Sequence, residues 1–264
     1  MNLMPGLPGK PAFKAGCVYI KSIHKDRIIS FSDQGNVSIQ GLPKDKTEMA
    51  DDYNERGISF FNLRKYPEAI QNFTKAIKIV GTDPDYYHNR GLAYYSMKML
   101  DNAIKDYMKA VEILPDNADY HNALGAAQED SGDLNGASES FSKAIELEGD
   151  VPDYYYNRGN VLWKQGKHDL ALEDYSRAVQ LNSTDQIFLY KRFLTYLDLE
   201  RYADALGDID SIIRLAPGST MYIAHKAKLL MLMDKNDEAK ELLLDFKKHQ
   251  DLDETLSKML EELQ

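Results

Sequence analysis

Four glycines, Gly57, Gly91, Gly125 and Gly159, stand 34 residues apart. That period constrains the chain more tightly than its composition does. Each glycine closes a copy of one short segment. Asp153-Tyr154-Tyr155-Tyr156-Asn157-Arg158-Gly159 nearly repeats Asp85-Tyr86-Tyr87-His88-Asn89-Arg90-Gly91. Looser copies run from Asp51 to Gly57 and from Asp119 to Gly125. A unit of this size cannot bury an apolar face alone, but stacked neighbours can. The expectation is therefore one array whose core runs through every unit, rather than separate globular domains.

With the glycine set as position 8, the repeats begin at Ala50, Pro84, Ala118, Pro152, Gln186 and Thr220. Position 20 is then alanine six times: Ala69, Ala103, Ala137, Ala171, Ala205 and Ala239. Position 24 is Phe73, Tyr107, Phe141, Tyr175, Ile209 and Leu243. Apolar residues recur at 4-8-11 and again at 20-24-27, which is helical spacing in each half. Breaks such as Lys164-Gln165-Gly166-Lys167 separate the halves. Each repeat thus reads as two antiparallel helices joined by a tight turn, with small residues at 8 and 20 letting the backbones approach. Pro115 and Pro217 stop second helices, and Asp83, Asn117, Asp185 and Ser219 are placed to cap first helices.

These residues resemble the tetratricopeptide repeat, by period, by small residues at 8, 20 and 27, by the aromatic at 24 and by proline at 32. The resemblance covers residues 47–264. It implies an all-α fold: a right-handed α-solenoid of six helix pairs (47–249) plus a C-terminal capping helix (250–264); the small N-terminal β-meander is read separately, from the residues ahead of it. Phe193 and Ala227 replace the position-8 glycine in the last two repeats, so those pairs should splay or repack. Leu252, Leu256, Met259, Leu260 and Leu263 form the stripe of the final helix.

Position 7 is Arg56, Arg90, Arg158 and Arg192, with Leu124 and Lys226 elsewhere. Asp106, Asp174 and Asp208 stand 16 residues after three of those arginines. The spacing predicts ion pairs between the two helices of a repeat: Arg90–Asp106, Arg158–Asp174 and Arg192–Asp208. Arg56 faces Asn72 instead.

Upstream, residues 1–16 are a Pro/Gly-rich arm, and 17–46 hold a short β-meander and linker. Alternation predicts strands at 17–23, 27–32 and 37–40. The meander is expected to cover the open end of the array.

The six histidines are scattered, no glycine-rich phosphate loop is present, and no serine or cysteine has a triad context. The expectation is no enzyme, no cofactor and no metal. Cys17 is the single cysteine, which excludes an intramolecular disulfide and suits a cytoplasmic setting. The 42 Asp+Glu against 32 Lys+Arg give a net charge of −10. That argues against nucleic acid or an anionic membrane as partner and in favour of a basic protein segment.

The family resemblance implies that first helices line a concave groove. The candidate peptide-binding residues are Asn54, Ile58, His88, Asn89, Leu92, Tyr95, Asn122, Tyr156, Asn157, Asn160, Trp163, Tyr190 and Lys191. The recurring asparagines can both donate to and accept from a peptide backbone. Tyr156, Trp163 and Tyr190 beside Lys191 have the composition of a binding hot spot. Asp51, Asp85, Asp119 and Asp153 at position 2 suit the first turn of a helix. The carboxylate clamp that many such repeats use on heat-shock chaperones is absent: only Asn89 matches it, and Asp119 would repel a carboxylate. The expected role is a protein-binding scaffold. The alternative is a subunit of a larger assembly, acting through the convex face and the β-meander.

Overall fold

The computed structural model describes residues 28–31, 37–40 and 45–263, with side chains from residue 45 onward. The arm at 1–16, the strand expected at 17–23, Cys17 and His24 lie outside the described residues. Close approaches between elements divide the chain into two compact units, residues 1–148 and 149–264.

The first unit opens with strands β1 (Ile28–Phe31) and β2 (Val37–Gln40), paired antiparallel with Ile29 opposite Ile39. Helices α1 (Lys46–Asn62), α2 (Tyr66–Ile79), α3 (Pro84–Ser96), α4 (Leu100–Ile113), α5 (Ala118–Ser131) and α6 (Leu134–Leu147) follow as three antiparallel pairs. The second unit holds α7 (Pro152–Lys164), α8 (His168–Leu181), α9 (Gln186–Asp198), α10 (Tyr202–Leu215), α11 (Thr220–Leu232), α12 (Asn236–His249) and α13 (Glu254–Glu262). Within each unit the second helix of one pair packs on the first helix of the next, so the pairs stack as a solenoid does.

Helix α1 starts at Lys46, four residues ahead of the expected Ala50, because Asp45 caps it by accepting from the Glu48 N–H at 2.9 Å. Asp51 therefore lies in the second turn, not the first. Asp83, Asn117 and Asp185 cap α3, α5 and α9 through their side chains. Ser219 occupies the cap position of α11 without a side-chain bond.

The six alanines at position 20 are all fully buried. A Cβ added to Gly57, Gly91, Gly125 or Gly159 would come within 2.5–2.8 Å of the ring of Phe73, Tyr107, Phe141 or Tyr175. Glycine is required there because the position-24 aromatic lies flat on the first helix. In the fifth repeat the large ring moves to the first helix, and in the sixth a smaller position-24 residue makes room for alanine in place of glycine. Phe193 faces a core with Ile209, and Ala227 one with Leu243, all four fully buried. Those pairs repack, and their helices stay close along less of their length than the earlier pairs do.

At each of the six turns inside a pair, position 15 adopts a left-handed backbone. The residues are Arg64, Lys98, Gly132, Gly166, Glu200 and Asp234, with φ from 58° to 91°. One turn geometry thus serves every repeat, whether or not glycine supplies it. Helix α13 lies on α11 and α12, with Leu256 and Leu260 buried against Ile223, Leu243 and Phe246.

Candidate functional site

The arginine pairs at position 7 are built as the spacing predicts. Arg90 donates from Nε and Nη2 to the two carboxylate oxygens of Asp106, both at 2.7 Å. Arg158 meets Asp174 at 2.8 and 2.7 Å, and Arg192 meets Asp208 at 2.8 and 2.6 Å. The bond to Asp174 raises the pKa of the Arg158 guanidinium, with burial opposing it. Arg90 also donates to the Thr74 hydroxyl of the preceding repeat at 3.1 Å. In the sixth repeat Lys226 reaches Asp210, also on the preceding repeat, at 2.8 Å.

A second set of bonds runs between first helices of successive repeats, always 35 residues apart. Tyr86 donates to Asp51 and Tyr120 to Asp85, each at 2.5 Å. Asn89 donates to Asn54 at 3.0 Å, Tyr95 to Asp130 at 2.8 Å, and Trp163 to Asp198 at 2.9 Å. Tyr190 Oη lies 3.2 Å from His225 Nε2. An offset of one period plus one residue brings together two side chains on neighbouring first helices. It recurs at three levels along them, from positions 2 and 3 to positions 12 and 13. Lys98 adds an ion pair to Asp130 at 3.0 Å.

These bonds change how the candidate residues must be read. Asn54, Asn89 and Tyr95 sit on the first-helix face of the first unit, partly exposed, but each spends one polar group on its neighbour. His88 and Leu92 lie beside them, with Asp85 and Asp119 exposed nearby. Asn122 is partly exposed on α5. Three candidates are not presented to a ligand. Ile58 is 9% exposed and packs against Phe73 and Ala93. Asn157 is 1% exposed. Tyr190 is 7% exposed and packs on Phe193, Tyr222 and His225.

Of the expected hot spot, Tyr156 packs on the apolar cluster that contains Tyr190. Tyr156 leans on Tyr175 and Phe188 with ring centres 6.1 and 5.3 Å away. Trp163 lies two turns further along α7, 42% exposed and edge-on to His168. Asn160 accepts from the Tyr175 hydroxyl at 2.9 Å, and Lys191 is half-buried on α9.

Position 4, one of the core-facing positions of the first helix by spacing, also holds the preceding loop. Tyr87 donates to Gly81 O and Tyr155 to Gly149 O, each at 3.1 Å, and His121 Nε2 lies 2.8 Å from Pro115 O. Ser140 donates to Gln128 at 2.7 Å, replacing the ion pair in the third repeat. A cleft of about 640 Å³ opens between α11 and α13, lined by Lys228, Met231, Leu232, Lys258 and Met259 among others. Among the described residues no group of three or more His, Cys, Asp or Glu could hold a metal ion. No described helix is long and apolar enough to cross a membrane.

Stacked antiparallel helix pairs of constant period, joined by recurring inter-repeat bonds, define a helix-pair repeat protein. The chain resembles the tetratricopeptide repeat family in particular. The family model described as tetratricopeptide repeat matches residues 84–117 and 152–185, and a second, described as TPR repeat, matches 57–98 and 130–166. No curated protein matches the chain. Several solved structures share its fold. YrrB, described as a TPR protein with an unusual peptide-binding site, is 24% identical with a TM-score of 0.60, over 72% of this chain and 97% of YrrB. PilF of Pseudomonas aeruginosa is 17% identical with a TM-score of 0.64, over 82% of this chain and 99% of PilF. MamA is 23% identical with a TM-score of 0.59, over 64% of this chain and 92% of MamA.

Proposed function

We propose that the chain is a non-enzymatic protein-interaction scaffold, and that the first-helix face of its first unit holds an extended, basic segment of a protein partner. The observation that carries this reading is the state of that face. Asp85 and Asp119 are exposed on it. The Asn54–Asn89 bond uses one amide hydrogen and one carbonyl, so Asn54 Nδ2 and Asn89 Oδ1 keep capacity for a peptide backbone. A net charge of −10 would draw a basic segment in and make its capture weaken with salt. A peptide-binding site in YrrB, a relative by fold, is in keeping with this role.

The test is selection of binders from a random peptide library, followed by fluorescence anisotropy. Selected peptides should be rich in Lys and Arg. Asp85→Asn with Asp119→Asn should weaken them about tenfold, since two exposed charges contribute roughly 1 kcal/mol together or somewhat more. Both substitutions keep a hydrogen-bond acceptor, so the fold should persist, with only a small drop in melting temperature from the weakened Tyr120 bond to residue 85. Binding that ignores the double substitution, or an acidic consensus, would overturn the reading.

A further inference from the structure

The first-helix face of the first unit gathers negative charge. Asp85 and Asp119 are exposed on it, and α1 carries Glu48, Asp51, Asp52 and Glu55 within about two turns. Asp51 and Asp85 each accept from a tyrosine of the next repeat, which leaves their charge in place. The carboxylates are close enough to act on one another. Burial, with the charges of Asp85 and Asp51 adding to it, holds the Asp83 carboxyl above its ordinary range. Such a face is stabilised by meeting a cationic segment.

The chain carries a segment of that chemistry itself. Residues 1–27 hold Lys10, Lys14, Lys21, Lys25 and Arg27 against the single acid Asp26. This stretch is cationic in a chain whose net charge is −10. It ends at Ile28, the first residue of β1, and β1 pairs with β2, which packs on α1. The segment is therefore tethered beside the first helix of the acidic face. Its length is ample: an extended chain of that size reaches up to about 90 Å, whereas α1, α3 and α5 are separated by two interaxial steps of about 10 Å.

We propose that residues 1–27 are the resident occupant of this face, with Lys10 and Lys14 set against its carboxylates, so that a basic segment of a partner binds by displacing them. The inference rests on the first-helix face being the ligand face, and it names how that face is regulated. The tether decides the balance. Exposed ion pairs contribute little one at a time, but a linked segment faces its site at an effective concentration on the order of 1 mM. An affinity too weak to matter between molecules is then enough to fill the face within one.

Carbodiimide cross-linking of the full chain tests this, because it joins a lysine amine to a carboxylate only where the two meet. Native chain is mixed with ¹⁵N-labelled chain, and the linked peptides are read by mass spectrometry. Lys10 and Lys14 should link to Asp85, Asp119 or the acids of α1. Linked pairs should be wholly light or wholly heavy, since each segment covers its own face, and they should fade as salt is raised. The second measurement is the anisotropy of fluorescein-labelled oligolysine. Lys10→Gln, Lys14→Gln, Lys21→Gln and Lys25→Gln together should tighten its binding about tenfold, because the resident competitor is weakened. Lys164→Gln, Lys167→Gln, Lys247→Gln and Lys248→Gln change the net charge equally, at exposed positions of the second unit. They should tighten binding by about twofold at most. An absence of links to the face, links that mix light and heavy chains, or equal gains in the two variants would overturn the proposal. The cross-links need no partner, so their outcome is separate from that of the peptide selection. Cross-links without a basic consensus keep the segment on the face and remove the partner; a basic consensus without cross-links removes only the segment.

Discussion

Arg56 and Asn72 stand in the first repeat where Arg90 and Asp106 form a bidentate ion pair in the second, yet Arg56 Nε and Asn72 Oδ1 are both buried without a partner. The Asn72 amide turns away and donates to Glu68 O at 2.8 Å. Asn72→Asp would supply the missing carboxylate at a position whose geometry three other repeats already accept. A charge-assisted bidentate bond replacing two orphans should stabilise the chain by about 1 kcal/mol. Asp106→Asn should do the reverse by about 2 kcal/mol, since it leaves a half-buried guanidinium short of its partner. Urea midpoints of the two variants check this; equal and negligible shifts would mean that the pairs are screened by solvent.

The shared left-handed turn yields a prediction with opposite signs at equivalent positions. Glu200 (φ 58°) carries a side chain where Gly132 and Gly166 carry none. Glu200→Gly should raise stability by roughly 0.5 kcal/mol, relief of the left-handed strain slightly outweighing the added freedom of the unfolded chain. Gly132→Ala should lower it by about 1 kcal/mol, although a Cβ there would have nothing within 4 Å. Asp234→Gly should change little, because Asp tolerates this conformation. Thermal melts of the three variants give the order.

The repeat frame was legible because backbone packing repeats with the period. Gly125 under Phe141 and the buried Ala137 are each set by steric fit, which leaves alanine in all six copies of the one position and glycine in four copies of the other. The Arg–Asp pairs were legible because both partners belong to one repeat. What was not legible lies between repeats. Tyr86 and Asp51 stand 35 residues apart, so neither looks unusual within its own copy. Lys226 was unmatched in its repeat and finds Asp210 in the one before. For the same reason the bonds that Asn54, Asn89, Tyr95 and Trp163 make to neighbouring repeats were not foreseen: a polar side chain on a first helix suits a partner chain or the next repeat equally well. Asn157 and Tyr190 follow helical periodicity toward the face but are covered, and periodicity carries no information on what covers a residue.

Gly125 and Phe141 form a coupled pair whose energetics can be measured. In Gly125→Ala the new Cβ would lie 2.8 Å from the Phe141 ring. The helices must part, at a cost of about 2 kcal/mol. The sixth repeat shows the compatible combination, Ala227 with Leu243, both fully buried. Phe141→Leu alone opens a cavity and should cost roughly 1–2 kcal/mol. The double variant should be more stable than the sum of the single losses by at least 1 kcal/mol. Additive losses in a double-mutant cycle would show that the ring and the glycine are not in contact.

His88 gives the fold a defined pH response. Its folded-state pKa is lowered to about 4 from an ordinary 6.5, chiefly by burial. Above pH 6.5 the ring is neutral in both states and has no proton linkage. As the pH falls from 6.5 to 4 the unfolded chain takes up a proton that the folded chain refuses. Stability is therefore lost across that window and levels off below it. The loss attributable to His88 should be on the order of 2 kcal/mol, because the Nδ1 edge is closed to solvent while the rest of the side chain is partly exposed. Carboxylates also titrate near the lower end of this window, so the measurement is a difference between chains. Urea midpoints of the native chain and of His88→Gln at pH 7.5 and pH 4.5 isolate the histidine. The native chain should lose more stability than His88→Gln between those two values. Parallel losses would mean that His88 takes its proton in the folded state as readily as in water.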